Sequence, residues 1–120
     1  MGGLQRITQP TLDVLEVLLR AHREGEKIHG WAIMKETKRS GPTVYNALDR
    51  LEDAGWIIGE WEELEPEASR PRRRFYHLTG EGAPAARALI AERRPAPVQA
   101  RPAFGFVSLA RFRALPAGGR

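Results

Sequence analysis

Apolar residues recur at helical spacing along PTLDVLEVLLRAHREG, with Leu12, Leu15 and Leu19 on one face. Thr8 or Gln9 can stand before Pro10, whose missing N–H does no harm in a first turn, and Gly25 supplies the stop. Val14, Val17 and Leu18 widen the stripe until most of the circumference is apolar, and such a helix must bury two sides. A domain of this length is expected to cover one side only, which leaves the other for a second copy of the chain. Leu12, Leu15 and Leu19 are therefore candidate dimer contacts.

The segment IHGWAIMKETKR carries Trp31, Ile33 and Met34 in a shorter second helix, ending before Ser40 and Gly41. In SGPTVYNALDRLEDAGW a third helix follows at once, with Ser40 as N-cap, Pro42 in the first turn and Gly55 as the stop. Val44, Ala47, Leu48, Leu51 and Ala54 form its core stripe. Two helices joined by a tight polar turn make a helix-turn-helix pattern. From Trp56 to Leu64 the period changes to β-formers among charges, and Phe75 to Thr79 is a second run of that type. With EPEASRPR between them, the two runs predict a β-hairpin with a long tip, Tyr76 and Leu78 sharing a face. Helical spacing resumes after Thr79 with Ala86, Leu89 and Ile90. The order helix, helix, helix, hairpin, helix predicts an α+β fold, mainly α, over residues 1–94.

Residues 95–120 contain four prolines and no acidic residue, which favours disorder. Three of the four phenylalanines also lie there, and Phe106, Leu109 and Phe112 can line one side of a short docking helix. The chain has no cysteine, no apolar run of membrane-spanning length and no export pattern at its start, so a cytoplasmic protein without disulfides is expected. Charge is uneven. Residues 1–69 hold 8 Lys or Arg against 13 Asp or Glu, whereas residues 70–120 hold 11 against 2. With a pI near 10.1, this polarity points to a local cationic surface for a polyanion.

Candidate chemistry concentrates in two places. With the apolar stripe of the third helix buried, Thr43, Asn46 and Arg50 share the opposite face at spacings of three and four. Arg can bond bidentately to guanine and Asn to adenine in the DNA major groove, and the first-turn N–H groups beside Ser40 suit a phosphate. Tyr45, one step round, can place its hydroxyl on a phosphate or pack on the hairpin. The plainer alternative pairs Arg50 with Asp49, Asp53 or Glu36. At the hairpin tip, SRPRRRFY sets Arg70, Arg72, Arg73 and Arg74 around a proline, where they can reach the phosphate backbone or a narrow minor groove. Five acids on the outgoing arm, Glu60, Glu62, Glu63, Glu65 and Glu67, are placed to restrain them in the absence of nucleic acid. Trp31 and Trp56 are candidates for the wall of an apolar ligand pocket, against the commoner role of tryptophan in a core.

The run SGPTVYNALDRLEDAGWI followed by RPRRRFYHLTGEG resembles the PadR family of bacterial winged-helix transcriptional regulators. Thr43, Tyr45, Leu48, Leu51, Glu52 and Gly55 match that family's helix, and Arg70, Pro71, Arg72, Tyr76, Leu78, Thr79 and Gly82 match its wing. IHGWAI also resembles the family's His-Gly-aromatic segment. Pro42, Asn46 and Ser69 depart from the pattern, standing where Gly, Pro and Gly are usual. The Asn46 departure puts a base-reading side chain on the exposed face. Many members add a helical dimerisation domain, whereas a single helix and a tail follow here, so the dimer contacts would fall to the first helix and to Leu89 and Ile90. The resemblance implies a winged helix-turn-helix fold and a homodimeric repressor on a palindromic double-stranded operator. It also implies a small apolar effector and a place on the bacterial nucleoid.

Enzymatic chemistry has little support. His22, His29 and His77 are scattered, and no phosphate loop, nucleophile elbow or metal-ligand spacing accompanies them, so no cofactor and no metal are expected. The rival function is a winged helix that binds protein or single-stranded nucleic acid without operator specificity.

Overall fold

Thr8 caps the first helix, α1 (Gln9–Arg23), accepting from the Thr11 N–H at 3.2 Å. In the computed structural model, which describes Leu4 and residues 6–95, a short strand β1 (Ile28–His29) leads into α2 (Gly30–Thr37) and α3 (Gly41–Asp53). Strands β2 (Ile57–Trp61) and β3 (Arg74–Leu78) form the wing hairpin, and α4 (Gly82–Arg93) closes the fold. The fold is a winged helix-turn-helix: four helices with one small antiparallel sheet, α+β and mainly α. Both long helices end in the same way. The N–H groups of Gly25 and Glu26 return to the carbonyls of His22 and Ala21, those of Gly55 and Trp56 to Glu52 and Leu51, and both glycines take positive φ, as these caps require.

The sheet runs β1-β3-β2. Its first strand was not expected: Ile28 and His29 read as the opening of the second helix, yet they pair with Tyr76 and Phe75. Two residues are too few to carry a period, and the edge of β3 recruits them as a strand. The second helix also stops earlier, at Thr37, where Lys38 turns left-handed at φ 59 and ends it. On the other side of β3, Ile57 pairs with Leu78, Gly59 with Tyr76 and Trp61 with Arg74. Partners across an antiparallel pair share a face. That face is buried at Ile57, Tyr76 and Leu78 and opens to solvent at Trp61.

Helix α1 does not keep a side free, contrary to expectation. Leu12, Leu15 and Leu19 are 1%, 0% and 6% exposed in the single chain, and Val14, Val17 and Leu18 are buried with them. This helix is the centre of the domain, packed against α2, α3, α4 and β3. One small chain covers nearly its whole circumference because the wing strand and α4 both fold back onto it. Its leucines are core residues rather than a free surface for a second copy. On α4, Ala86 is buried, whereas Leu89 and Ile90 are half-buried at the edge of the core.

Ion pairs fasten the end of α4. Arg94 bonds Asp13 at 2.9 Å, Glu16 at 3.0 Å and the Gln9 side chain at 2.7 Å, while Asp13 also receives Arg39 at 2.8 Å. Asp13 thus joins the exit from α4 to the turn before α3. Among the described residues no helix is long and apolar enough to cross a membrane. The tail, including the docking side expected at Phe106, Leu109 and Phe112, lies outside the described residues.

Candidate nucleic-acid interface

Helix α3 begins at a well-made cap. The Ser40 hydroxyl lies 3.0 Å from the Thr43 hydroxyl and accepts from the Thr43 N–H at 3.4 Å. Val44, Ala47, Leu48 and Leu51 are buried, so the helix turns its other side outward. There Thr43, Asn46 and Arg50 border one shallow depression with Thr8 and Pro10 of the neighbouring α1 terminus. Asn46 is exposed, and Thr43 and Arg50 are half-buried. Glu36, a possible partner for Arg50, is taken by Arg20 at 2.6 Å, and Arg50 forms no ion pair among the described residues. Its guanidinium and the Asn46 amide therefore keep their hydrogen-bonding edges, whereas the Thr43 hydroxyl is engaged in the cap.

The four wing arginines divide by partner. Glu62 grips Arg70 bidentately, at 2.9 Å on both nitrogens, and also accepts from the Arg73 N–H at 3.3 Å. The Arg70 bond holds the Glu62 carboxyl below the usual carboxylate range, so this clasp persists through neutral pH. Arg74 reaches back to Glu52 of α3 at 2.8 Å and lies 5.3 Å over the Trp61 ring, which joins wing to helix. Arg72 and Arg73 are exposed, and their side chains form no ion pair among the described residues. They are the free cations of the wing. Of the five acids expected to restrain the arm, Glu62 does so through Arg70, and Glu60 is held instead by Lys27 at 2.6 Å.

Between wing, α2 and α3 lies a cleft of about 610 Å³. Trp31, Tyr45 and Trp61 border it together with Arg72, Arg73 and Tyr76. Tyr45 leans on the start of α2, where a Cβ on Gly30 would overlap its ring, so the glycine sets where the phenol stands. Trp31 opens to this cleft with 59% of its surface exposed, but Trp56 is buried at 8% and belongs to the core. The two tryptophans thus do not share a pocket wall. Trp61, which belongs to none of the motifs, also lines the cleft. Its signal was the alternation Ile57, Gly59, Trp61, which carries the inner face of the sheet outward to the cleft.

His29, also on this cleft, caps α2 by accepting the Ala32 N–H on Nδ1 at 3.2 Å. Burial, then the positive charge of Arg73, pushes its pKa below the ordinary 6.5. The unfolded chain therefore takes up this proton first as pH falls, and stability should be lost progressively below about pH 6.5. In His29→Asn the cap is kept but does not titrate. Thermal unfolding between about pH 7 and about pH 5 should show a smaller loss in this variant than in the parent. Equal losses would remove His29 as a source of acid sensitivity.

Three solved structures are similar to this chain. A PadR family transcription regulator from Clostridium difficile R20291 aligns at TM-score 0.57 and 24% identity, over 72% of this chain and 88% of that one. A protein of Ralstonia eutropha JMP134, described as a candidate DNA-binding protein, aligns at 0.55 and 26%, over 70% and 98%. The MepR chain of a Staphylococcus aureus MepR–DNA complex aligns at 0.54 and 26%, over 71% of this chain and 63% of its own. No curated protein matches the chain significantly. The model of the transcriptional regulator PadR-like family, however, matches residues 14–88, from the middle of α1 through the helix-turn-helix and wing into α4. Because that match takes in residues of every element of the fold, the chain belongs to the PadR-like family of transcriptional regulators.

Proposed function

We propose that this regulator is a sequence-specific repressor that binds a palindromic double-stranded operator as a homodimer, on the nucleoid, and lets go when a small apolar ligand binds. One observation carries the proposal: among the described residues Asn46 and Arg50 stand unpaired on the outer face of α3, on the same molecule as the unpaired Arg72 and Arg73 of the wing. A helix offering bidentate donors suits base edges in the major groove, and free guanidinium groups beside it suit phosphates. The similar MepR chain was solved with DNA, which supports the same use here. Ser40 caps the N-terminus of α3, and Tyr45, inside that helix, leans on the start of α2; each would meet the backbone from its own side. Arg70 and Arg74, already paired, would shape the wing and come to phosphate only by exchanging Glu62 or Glu52.

With α1 enclosed, a twofold contact would rest on the half-buried Leu89 and Ile90 of α4 and on whatever lies beyond it. Such a dimer sets two copies of α3 about 34 Å apart, one turn of DNA, and so requires a palindrome. Footprinting on the DNA upstream of the protein's own coding region, followed by titration of the protected duplex, tests this. Two chains per duplex and strong preference over random duplex are expected. One chain per duplex would end the twofold model, and equal affinity for random duplex would favour a module without operator specificity.

The wing has its own measurement. Replacing Arg72 and Arg73 with alanine should weaken binding to every duplex. The slope of log K against log salt should shrink by about 0.9 for each phosphate no longer neutralised, about 1.8 in all. An unchanged slope would take the wing out of the interface.

A further inference from the structure

A phosphate backbone does not call for two exposed indoles, yet Trp31 and Trp61 both border the cleft, each 59% exposed. Each already carries one cation, Lys35 at 4.6 Å from the Trp31 ring and Arg74 at 5.3 Å from the Trp61 ring; Trp31 is also stacked by the His29 ring at 6.2 Å, which leaves Trp61 as the more open of the two. Next to them stand Arg72 and Arg73, adjacent forks without an acidic partner among the described residues. The nearby acids Glu52 and Glu62 are spent on Arg74 and Arg70. A volume of about 610 Å³ lies within the usual range for a small-molecule site. Flat π surface beside paired guanidinium groups matches a ligand that has a planar ring at one end and a multiply charged anion at the other.

We propose that this cleft binds an unpaired nucleotide, its base stacked on the Trp61 indole with Trp31 on the rim of the same cleft, and its phosphate held by Arg72 and Arg73. The base is sought by stacking, which tolerates any of the four, while two adjacent forks favour a doubly charged phosphate over a single carboxylate. A free mononucleotide offers this charge as one phosphate monoester, whereas a nucleotide within a single strand offers it as two singly charged phosphodiesters, one on either side of the base. Occupancy takes the two free wing cations and so competes with duplex DNA. That last consequence rests on the assignment of Arg72 and Arg73 to duplex phosphates; binding in the cleft does not.

Calorimetric titration of the full chain with adenosine monophosphate, without DNA, tests the cleft alone. Saturable binding is expected, weakened about 5- to 150-fold in Trp61→Ala and largely restored in Trp61→Phe, since stacking is worth about 1 to 3 kcal/mol per base. Arg72→Ala with Arg73→Ala should abolish it. Ribose 5-phosphate binding as tightly as the nucleotide, or affinity unaffected by Trp61→Ala, would overturn the proposal by reducing the cleft to an anion site. No binding of either adenosine monophosphate or a short oligothymidylate would overturn it outright. If the oligothymidylate binds and the mononucleotide does not, the source is a single strand; if both bind with similar affinity, it is the free nucleotide. Displacement of duplex by the bound ligand supports the competition. Binding in the cleft without displacement leaves the site standing and overturns the wing assignment instead.

Discussion

Arg50→Ala and Asn46→Ala are each expected to weaken binding to the operator by about 1 to 3 kcal/mol while leaving affinity for random duplex almost unchanged. Neither side chain is held by a partner among the described residues, so their hydrogen-bonding edges are available to bases. Removing them leaves the fold untouched, because the core stripe of α3 lies on its other side. Each variant should also lose discrimination at one position of the operator, a guanine for Arg50 and an adenine for Asn46. Affinities measured on the operator, on single base-pair substitutions and on random duplex separate these effects. The two residues are one turn apart, so the double variant need not equal the sum of the singles. Equal losses on operator and random duplex would identify both as backbone contacts.

Leu15→Ala should cost about 2 to 5 kcal/mol of unfolding free energy, the range for a large core side chain whose cavity cannot collapse. Leu15 is 0% exposed in the middle of α1, enclosed by elements from the whole described chain. Urea unfolding should show a lower midpoint with an unchanged slope. The mass of the folded variant by light scattering should equal that of the parent. A variant as stable as the parent, but with reduced mass, would return α1 to the role of a surface between copies.

These two sites also mark what the sequence disclosed and what it withheld. Asn46 and Arg50 could be placed on one face because helical period is local, and the caps at Thr8, Ser40, Gly25 and Gly55 could be read because each depends on a few neighbouring residues. The position of Leu15 depends on how many elements return to α1, which its own stripe does not specify. Ile28 and His29 become a strand only through the edge of β3, about 45 residues on, which no local pattern announces. The wing arginines were legible as a cluster but not one by one. Which of them stays free depends on Glu62 and Glu52 reaching across from another strand and another helix. The cleft was harder still, since its residues come from β1, α2, α3 and both strands of the hairpin.

The central place of α1 has a consequence for the order in which the chain matures. Among the described elements it leaves the ribosome first, and two of its neighbours, β3 and α4, follow only after the helix-turn-helix has emerged. A nascent chain that has released only the helix-turn-helix carries an uncovered flank of leucine and valine, and α2 and α3 have no complete core to dock on. The core around α1 is therefore expected to close only once α4 has emerged, as one cooperative event. Chains arrested before Thr79 are expected to be substrates for chaperones and proteases rather than half-active regulators.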